Sequence, residues 1–149
     1  MDEQSFLSAA ADCGIHTSYY ALCDRYPLRL DLPSIPASAK SLLEATSGEV
    51  PLEKLRGPGS VYKLLGLPEG IALKFIIQKR TSIETHFSVA IGEMARTGTF
   101  AILCKDILAN NGEPARSPPY PRPTFHSVEE FIAILRSFDQ LVRKLGVIG

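Results

Sequence analysis

Apolar residues occupy every second position along two neighbouring stretches in the middle of the chain, IALKFIIQ (71–78) and SIETHFSVAI (82–91). Such alternation is typical of β-strands that bury one face. The apolar positions are odd-numbered in both stretches, so an antiparallel pair keeps them on one face only if the loop between them has an odd number of residues. The pattern therefore predicts a hairpin in which Lys74 lies opposite His86 and Ile76 lies opposite Glu84.

A further strand is predicted just before this hairpin, from Val61 to Leu65, where the apolar period has already changed from helical to alternating. The sequence Leu67-Pro68-Glu69-Gly70 then supplies the proline and glycine typical of a tight turn. Together with Ile71 to Gln78 and Ser82 to Ile91, this strand predicts a three-stranded antiparallel meander.

Three helices are predicted in the first third of the chain, at Gln4 to Cys13, Ser18 to Tyr26 and Ala37 to Ser47. Each carries apolar residues at helical spacing and is followed directly by glycine or proline, which end helices. Ser34, which stands before Pro36, is predicted to begin the third helix.

The segment from Thr99 to Asn110 is apolar enough to be a fourth strand, but its largest residues recur at helical spacing. We predict a helix, ended by the Asn-Asn-Gly that follows. Ile102 does not fit this spacing, because a helix that buries the other large apolar residues would leave it exposed. The strand alternative matters for the fold, since it would enlarge the sheet by one member.

The last helix is predicted to begin at Ser127, because Ser127 and Glu130 form the S-x-x-E capping box. A proline-rich connector, residues 113–123, precedes it. Its apolar stripe comprises Val128, Phe131, Leu135, Phe138, Val142 and Leu145. Such a stripe could form a short coiled-coil seam, but further apolar residues beside it favour burial against the sheet. These elements predict a single α+β domain, 1–149, in which about three strands pack against four to five helices with the C-terminal helix over the sheet.

Composition narrows the possible partners. In 149 residues, 16 Lys and Arg balance 16 Asp and Glu, and no long run of one sign occurs. Nucleic acid is therefore not expected as the main partner, since phosphate contacts need a concentrated basic face. No apolar run is long enough to span a membrane, and the acidic N-terminus does not resemble a secretory signal, so we expect a cytoplasmic protein. The three cysteines lack metal-binding spacing and are expected to be reduced: Cys13, Cys23 and Cys104.

The polar face of the predicted hairpin holds the densest group of chemically useful side chains, Lys74, Gln78, Glu84, His86 and Ser88. A carboxylate two residues from a histidine, with a lysine opposite, could perform acid–base chemistry. An exposed sheet face usually carries such residues for solubility and cross-strand pairing, so partner binding is favoured over catalysis. No catalytic residue is assigned.

No metal or cofactor is expected. The three histidines stand far apart in the sequence without ligand spacing: His16, His86 and His126. A Cys–His nucleophile is not favoured either, because the cysteines lie on apolar helix faces, where thiols are usually inert.

Residues 70 to the end resemble small cytosolic immunity proteins of bacterial toxin–immunity systems in the order of their segments. These are the strand IALKFIIQK, the carboxylate-bearing strand SIETHFSVAIGE, the glycine-led GTFAILCKDIL, and a proline-rich crossing into SVEEFIAIL. The resemblance implies a non-enzymatic protein that binds one toxin and occludes its active site. The residues expected to contact that partner are Lys74, Glu84, His86, Glu93, Tyr20 and Tyr120.

Two other functions remain open. A cytosolic secretion or folding chaperone would also be small and α+β, and it would use the last helix as a dimer seam. A small enzyme would use Glu84 and His86. Whether the chain is a monomer or a homodimer distinguishes the chaperone from the inhibitor.

Overall fold

The computed structural model describes residues 1–33, 35 and 38–148, without the side chains of residues 39 and 80. The described chain has an α+β fold in which helices pack on one face of an antiparallel sheet. In chain order the elements are α1 (Glu3–Asp12), α2 (Ile15–Arg25), α3 (Ala39–Thr46), β1 (Leu52–Lys54), β2 (Ser60–Leu64), β3 (Ile71–Ile77), β4 (Ile83–Ile91), β5 (Met94–Gly98), α4 (Phe100–Asn110) and α5 (Val128–Gly146).

The predicted hairpin register is confirmed. Lys74 pairs with His86, and Ile76 pairs with Glu84. The connection between β3 and β4, residues 78–82, has the odd length that the apolar alternation requires, and it contains a 3₁₀ turn at Lys79–Thr81. Because the side-chain period of a strand is two, this register places Leu73 and Phe75 of β3 on the same face as Phe87 and Val89 of β4, whereas Ile76 lies on the opposite face.

The expectation of about three strands is wrong, because the sheet has five, in the order β1-β2-β3-β4-β5. The sequence of β5, MARTG, lacks alternating large apolar residues, and β1 has three residues. Gly92 and Glu93 form a two-residue loop between β4 and β5, with Gly92 at φ +61°. Glycine at the first position of such a loop is typical of hairpins.

The helix predicted over Thr99 to Asn110 is confirmed as α4, and Thr99 caps it by accepting the N–H of Ile102 at 3.2 Å. Ile102 is 46% exposed, as the helical interpretation implies. The other corrections concern helix starts. Helix α2 begins at Ile15, three residues before the predicted start. Ser38 caps α3. The predicted cap, Ser34, and the predicted first residue, Ala37, lie outside the described residues.

Helix α5 has the predicted cap at Ser127, whose hydroxyl accepts the N–H of Glu130 at 3.1 Å. The Glu130 carboxylate accepts the N–H of His126 at 2.8 Å, instead of the Ser127 N–H that a complete capping box uses. The stripe of α5 is buried within the chain itself at Phe131, Leu135, Phe138, Val142 and Leu145. It is therefore not available as a coiled-coil seam.

Phe138 of α5 lies at the centre of the core. Its ring centroid is 5.9 Å from that of Phe75 on β3, 5.6 Å from Phe100 on α4 and 6.0 Å from Tyr19 on α2. One side chain thus joins the sheet to three helices. Since α4 and α5 pack on the face of the sheet that carries Phe75 and Phe87, the opposite face carries no helix from the described part of the chain.

We expect Phe138→Ala to lower the free energy of unfolding by about 3–5 kcal/mol, because it leaves a cavity between the sheet and three helices. Urea denaturation followed by circular dichroism measures this change. Val147→Ala is the control, since Val147 is 80% exposed and its truncation should cost under about 0.5 kcal/mol. Equal effects of the two substitutions would contradict the central role of Phe138.

Candidate functional site

The face of the sheet turned away from the helices is the candidate site, and we call it the open face. Its members share one side of the pleat because they alternate with the buried residues and pair with one another across the strands. They are Glu53, Val61, Lys63, Ala72, Lys74, Ile76, Glu84, His86, Ser88, Ala90, Ala95 and Thr97. The face is mixed in polarity, and no helix from the described part of the chain covers it.

Three basic side chains form a line across its middle. Lys63 pairs with Lys74, which pairs in turn with His86, and all three are exposed. We call Lys63, Lys74 and His86 the basic row. Within the described residues none of the three forms an ion pair or a side-chain hydrogen bond. Lys74 and His86 were predicted to lie together, whereas Lys63 was not predicted, because the sequence pattern does not specify how β2 pairs with β3.

Glu84 has a structural partner. Its Oε2 lies 2.8 Å from Nε of Arg122, and its Oε1 accepts the backbone N–H of Thr85 at 3.0 Å. The same guanidinium also donates to the side-chain oxygen of Gln78. The Glu84 side chain is 14% exposed, so its carboxylate is largely occupied by Arg122. The pairing with His86 that an acid–base mechanism needs is not among its contacts.

The proline-rich connector borders this end of the open face. The carbonyl of Pro123 accepts the N–H of Ile83 at 2.9 Å, and Phe125 donates its N–H to Thr81 at 3.1 Å. On the side of the connector that faces α2, the Tyr19 hydroxyl donates to the carbonyl of Pro121. These bonds hold the connector between the sheet and α2, and they place Arg122 where it reaches Glu84.

The other predicted contact residues lie elsewhere. Glu93 is exposed in the loop between β4 and β5. Tyr20 is 8% exposed, with the guanidinium of Arg116 4.7 Å above its ring, so it offers little surface to a partner. Tyr120 is 44% exposed and bonded through its hydroxyl to Lys105 of α4 at 3.1 Å. The structure therefore brings together Lys74, Glu84 and His86 and separates them from both tyrosines.

The buried thiols are not poised for nucleophilic chemistry. Burial raises the pKa of Cys23 to about 12, and burial also raises the pKa of Cys104. A thiol attacks as its thiolate, so both groups are protonated and inert near neutral pH. Cys13 is exposed. No group of three or more metal-ligating side chains occurs among residues 1–33, 35 and 38–148.

A cleft of about 310 Å³ separates α2 from α5. It is lined by Ser18, Ala21, Leu22, Arg25, Tyr26, Ala133, Ser137, Gln140, Leu141 and Lys144. This lining includes two cations but no carboxylate, histidine or cysteine, so the cleft lacks the groups that acid–base or nucleophilic catalysis uses most often. The open face is the better candidate.

No protein-family model matches the chain, and no match was found among curated proteins or solved structures. None of the helices in the described part of the chain combines the length and apolarity that a membrane span requires. We therefore assign a role from the geometry of the open face.

The Glu84–Arg122 pair yields a prediction about stability. In a double-mutant cycle with Glu84→Gln and Arg122→Gln, we expect a coupling energy of about 1 kcal/mol, because the Glu84 side chain is only 14% exposed. The control is the pair Asp139 and Arg143, one turn apart on α5 and more exposed, for which we expect about 0.3–0.5 kcal/mol. A coupling for Glu84 and Arg122 no larger than the control would show that Arg122 does not anchor the connector.

Proposed function

We propose that this chain is a non-enzymatic binding protein that recognises one protein partner through its open face. By the resemblance to immunity proteins, the partner is a toxin whose active site the chain covers. The observation that carries the proposal is the sheet itself, which has five strands covered by helices on one side and exposed Lys63, Lys74, His86, Ala90 and Thr97 on the other.

The dimensions of the open face suit a protein surface. Five strands about 4.8 Å apart are about 19 Å across, and seven residues of β3 extend about 24 Å. The resulting area, on the order of 450 Å², is about half of the ~800 Å² that each partner contributes to a standard interface. A stable complex would therefore extend beyond the sheet to its borders, of which the connector around Arg122 is one.

Three observations support binding in place of catalysis. Glu84 is held by Arg122, which leaves His86 without the carboxylate that an acid–base pair needs. The thiols of Cys23 and Cys104 are protonated near neutral pH because burial raises their pKa. The described lining of the cleft between α2 and α5 includes no carboxylate, histidine or cysteine.

The buried stripe of α5 favours an inhibitor over a chaperone. Phe131, Leu135, Phe138 and Val142 are fully buried against the chain's own core. They are therefore not free to form the dimer seam that the chaperone hypothesis requires. The open face, with lysines and small residues, is poorly suited to an unfolded client.

The proposal is tested by adding one ring to the centre of the open face. Ser88→Tyr keeps the charge and favours a strand, so the fold should persist while the ring prevents close contact. Ala109→Tyr is the matched control, because Ala109 is exposed on α4 on the helical side of the molecule. Circular dichroism confirms that both variants fold.

The tagged chain and both variants are expressed in the cells that normally produce it, and bound proteins are identified by mass spectrometry. We expect one predominant partner that is toxic without the chain, with affinity reduced about 100-fold or more by Ser88→Tyr and unchanged by Ala109→Tyr. Equal binding by the two variants, many unrelated unfolded clients, or no partner would each contradict the proposal.

A further inference from the structure

The basic row is unfavourable for the chain on its own. Lys63 and Lys74 are directly opposite on neighbouring strands, and like charges in such positions destabilise a sheet. Glu53 lies opposite Lys63 at the far end of the row, but it forms no ion pair there within the described residues. Glu84, the nearest acidic residue on β4, is occupied by Arg122. The carboxylate nearest to Lys74 and His86 is therefore already paired with another cation.

We infer that the basic row binds an acidic helix of the protein partner, with three carboxylates on one helical face. This inference rests on the proposed function, because it takes the open face as the docking surface. Carboxylates would relieve the repulsion between Lys63 and Lys74, and they would form ion pairs with side chains that water now surrounds.

The spacing of the basic row favours a helix as the segment of the partner that binds it. Paired residues on neighbouring strands are about 4.8 Å apart, so the basic row extends about 10 Å perpendicular to the strands. Side chains at positions i, i+4 and i+8 of a helix repeat at about 5–6 Å along one face. An acidic helix lying across β2, β3 and β4 would therefore bring successive carboxylates over Lys63, Lys74 and His86 in order.

Nucleic acid fits this surface less well. Affinity for a duplex rises with the number of phosphates that Lys and Arg neutralise, and the row supplies two lysines and one histidine. Glu53 lies at one end of the row and would repel a phosphate backbone that continued past β2. The chain as a whole has no net charge. An oligonucleotide is therefore the alternative that the experiment must exclude.

The first test needs no partner. Because Lys74 repels Lys63, Lys74→Gln should raise the Tm of the free chain by about 1–3 °C at low salt. Lys40→Gln, at an exposed position of α3, is the control and should leave the Tm unchanged. A lower Tm for Lys74→Gln would mean that Lys74 stabilises the fold, which would overturn the argument from repulsion.

The second test uses a synthetic helical peptide with Glu at i, i+4 and i+8, and a counterpart with Gln at the same positions. Fluorescence anisotropy at low ionic strength should detect the Glu peptide and not the Gln peptide. We expect Lys63→Gln and Lys74→Gln each to weaken binding at least about threefold, Lys40→Gln to have no effect, and added salt to weaken it further.

The following outcomes of the peptide experiment would contradict the inference. Failure of the Glu peptide to bind, equal binding of the Gln peptide, or insensitivity to both lysine substitutions would show that the basic row does not select carboxylates. Tighter binding of a 12-nucleotide single strand or of a duplex would assign the row to nucleic acid.

Measurements on the captured partner separate this inference from the proposed function. If Ser88→Tyr abolishes binding while Lys63→Gln and Lys74→Gln retain it, the open face is the docking surface and the basic row is not its charged contact. If Ser88→Tyr has no effect, the proposed function fails, and the peptide experiment still decides the chemistry of the row.

Discussion

Packing of Phe138 against the inner face of the sheet is the contact on which the rest of the structure depends. Its ring touches the sheet at Phe75 and meets Phe100 and Tyr19 from two further helices, so α5 holds α2 and α4 in place as well as covering β3 and β4. Because this packing buries the largest apolar residues on one side of the sheet, the other side is left with mainly polar and small residues, together with Val61 and Ile76. The open face is therefore a consequence of how the core is filled.

The β5 edge of the sheet is protected against pairing with a strand from another chain. Arg96 of β5 has a side chain 12% exposed, lies 2.6 Å from Asp106 of α4, and also pairs with Glu3 of α1. An inward-pointing charge on an edge strand discourages pairing with a strand from another chain. The connector covers the start of β4, where Pro123 accepts the N–H of Ile83. Addition of a strand from another chain along β5 is therefore disfavoured.

Much of the fold could be predicted because its signals are local. The parity of the apolar positions in β3 and β4 required a loop of odd length, which is consistent with the predicted and observed pairing of Lys74 with His86, and the serine at position 127 marked the start of α5. Strand β5 was missed because Met94–Gly98 contains no large alternating residues, although the Gly-Glu loop before it is a hairpin signal.

The candidate site was predicted only where local sequence signals specify it. The pair Lys74 and His86 followed from the hairpin register. Placing Lys63 beside them requires the pairing of β2 with β3, which no period in the sequence specifies. The ion pair between Glu84 and Arg122 could not be predicted either, because the two residues meet through the route that the connector takes across α2 and the sheet. Contacts set by tertiary packing have no signature in the local pattern.

The central claim is that a protein partner docks on the open face, and methyl NMR of alanine-labelled chain tests it most directly. Ala72, Ala90 and Ala95 report from the open face, whereas Ala21 and Ala133 report from the cleft between α2 and α5. On addition of the captured partner, we expect the three open-face methyl signals to shift or broaden while the two cleft signals stay in place. Perturbation of the cleft methyls with an unchanged open face would contradict the account.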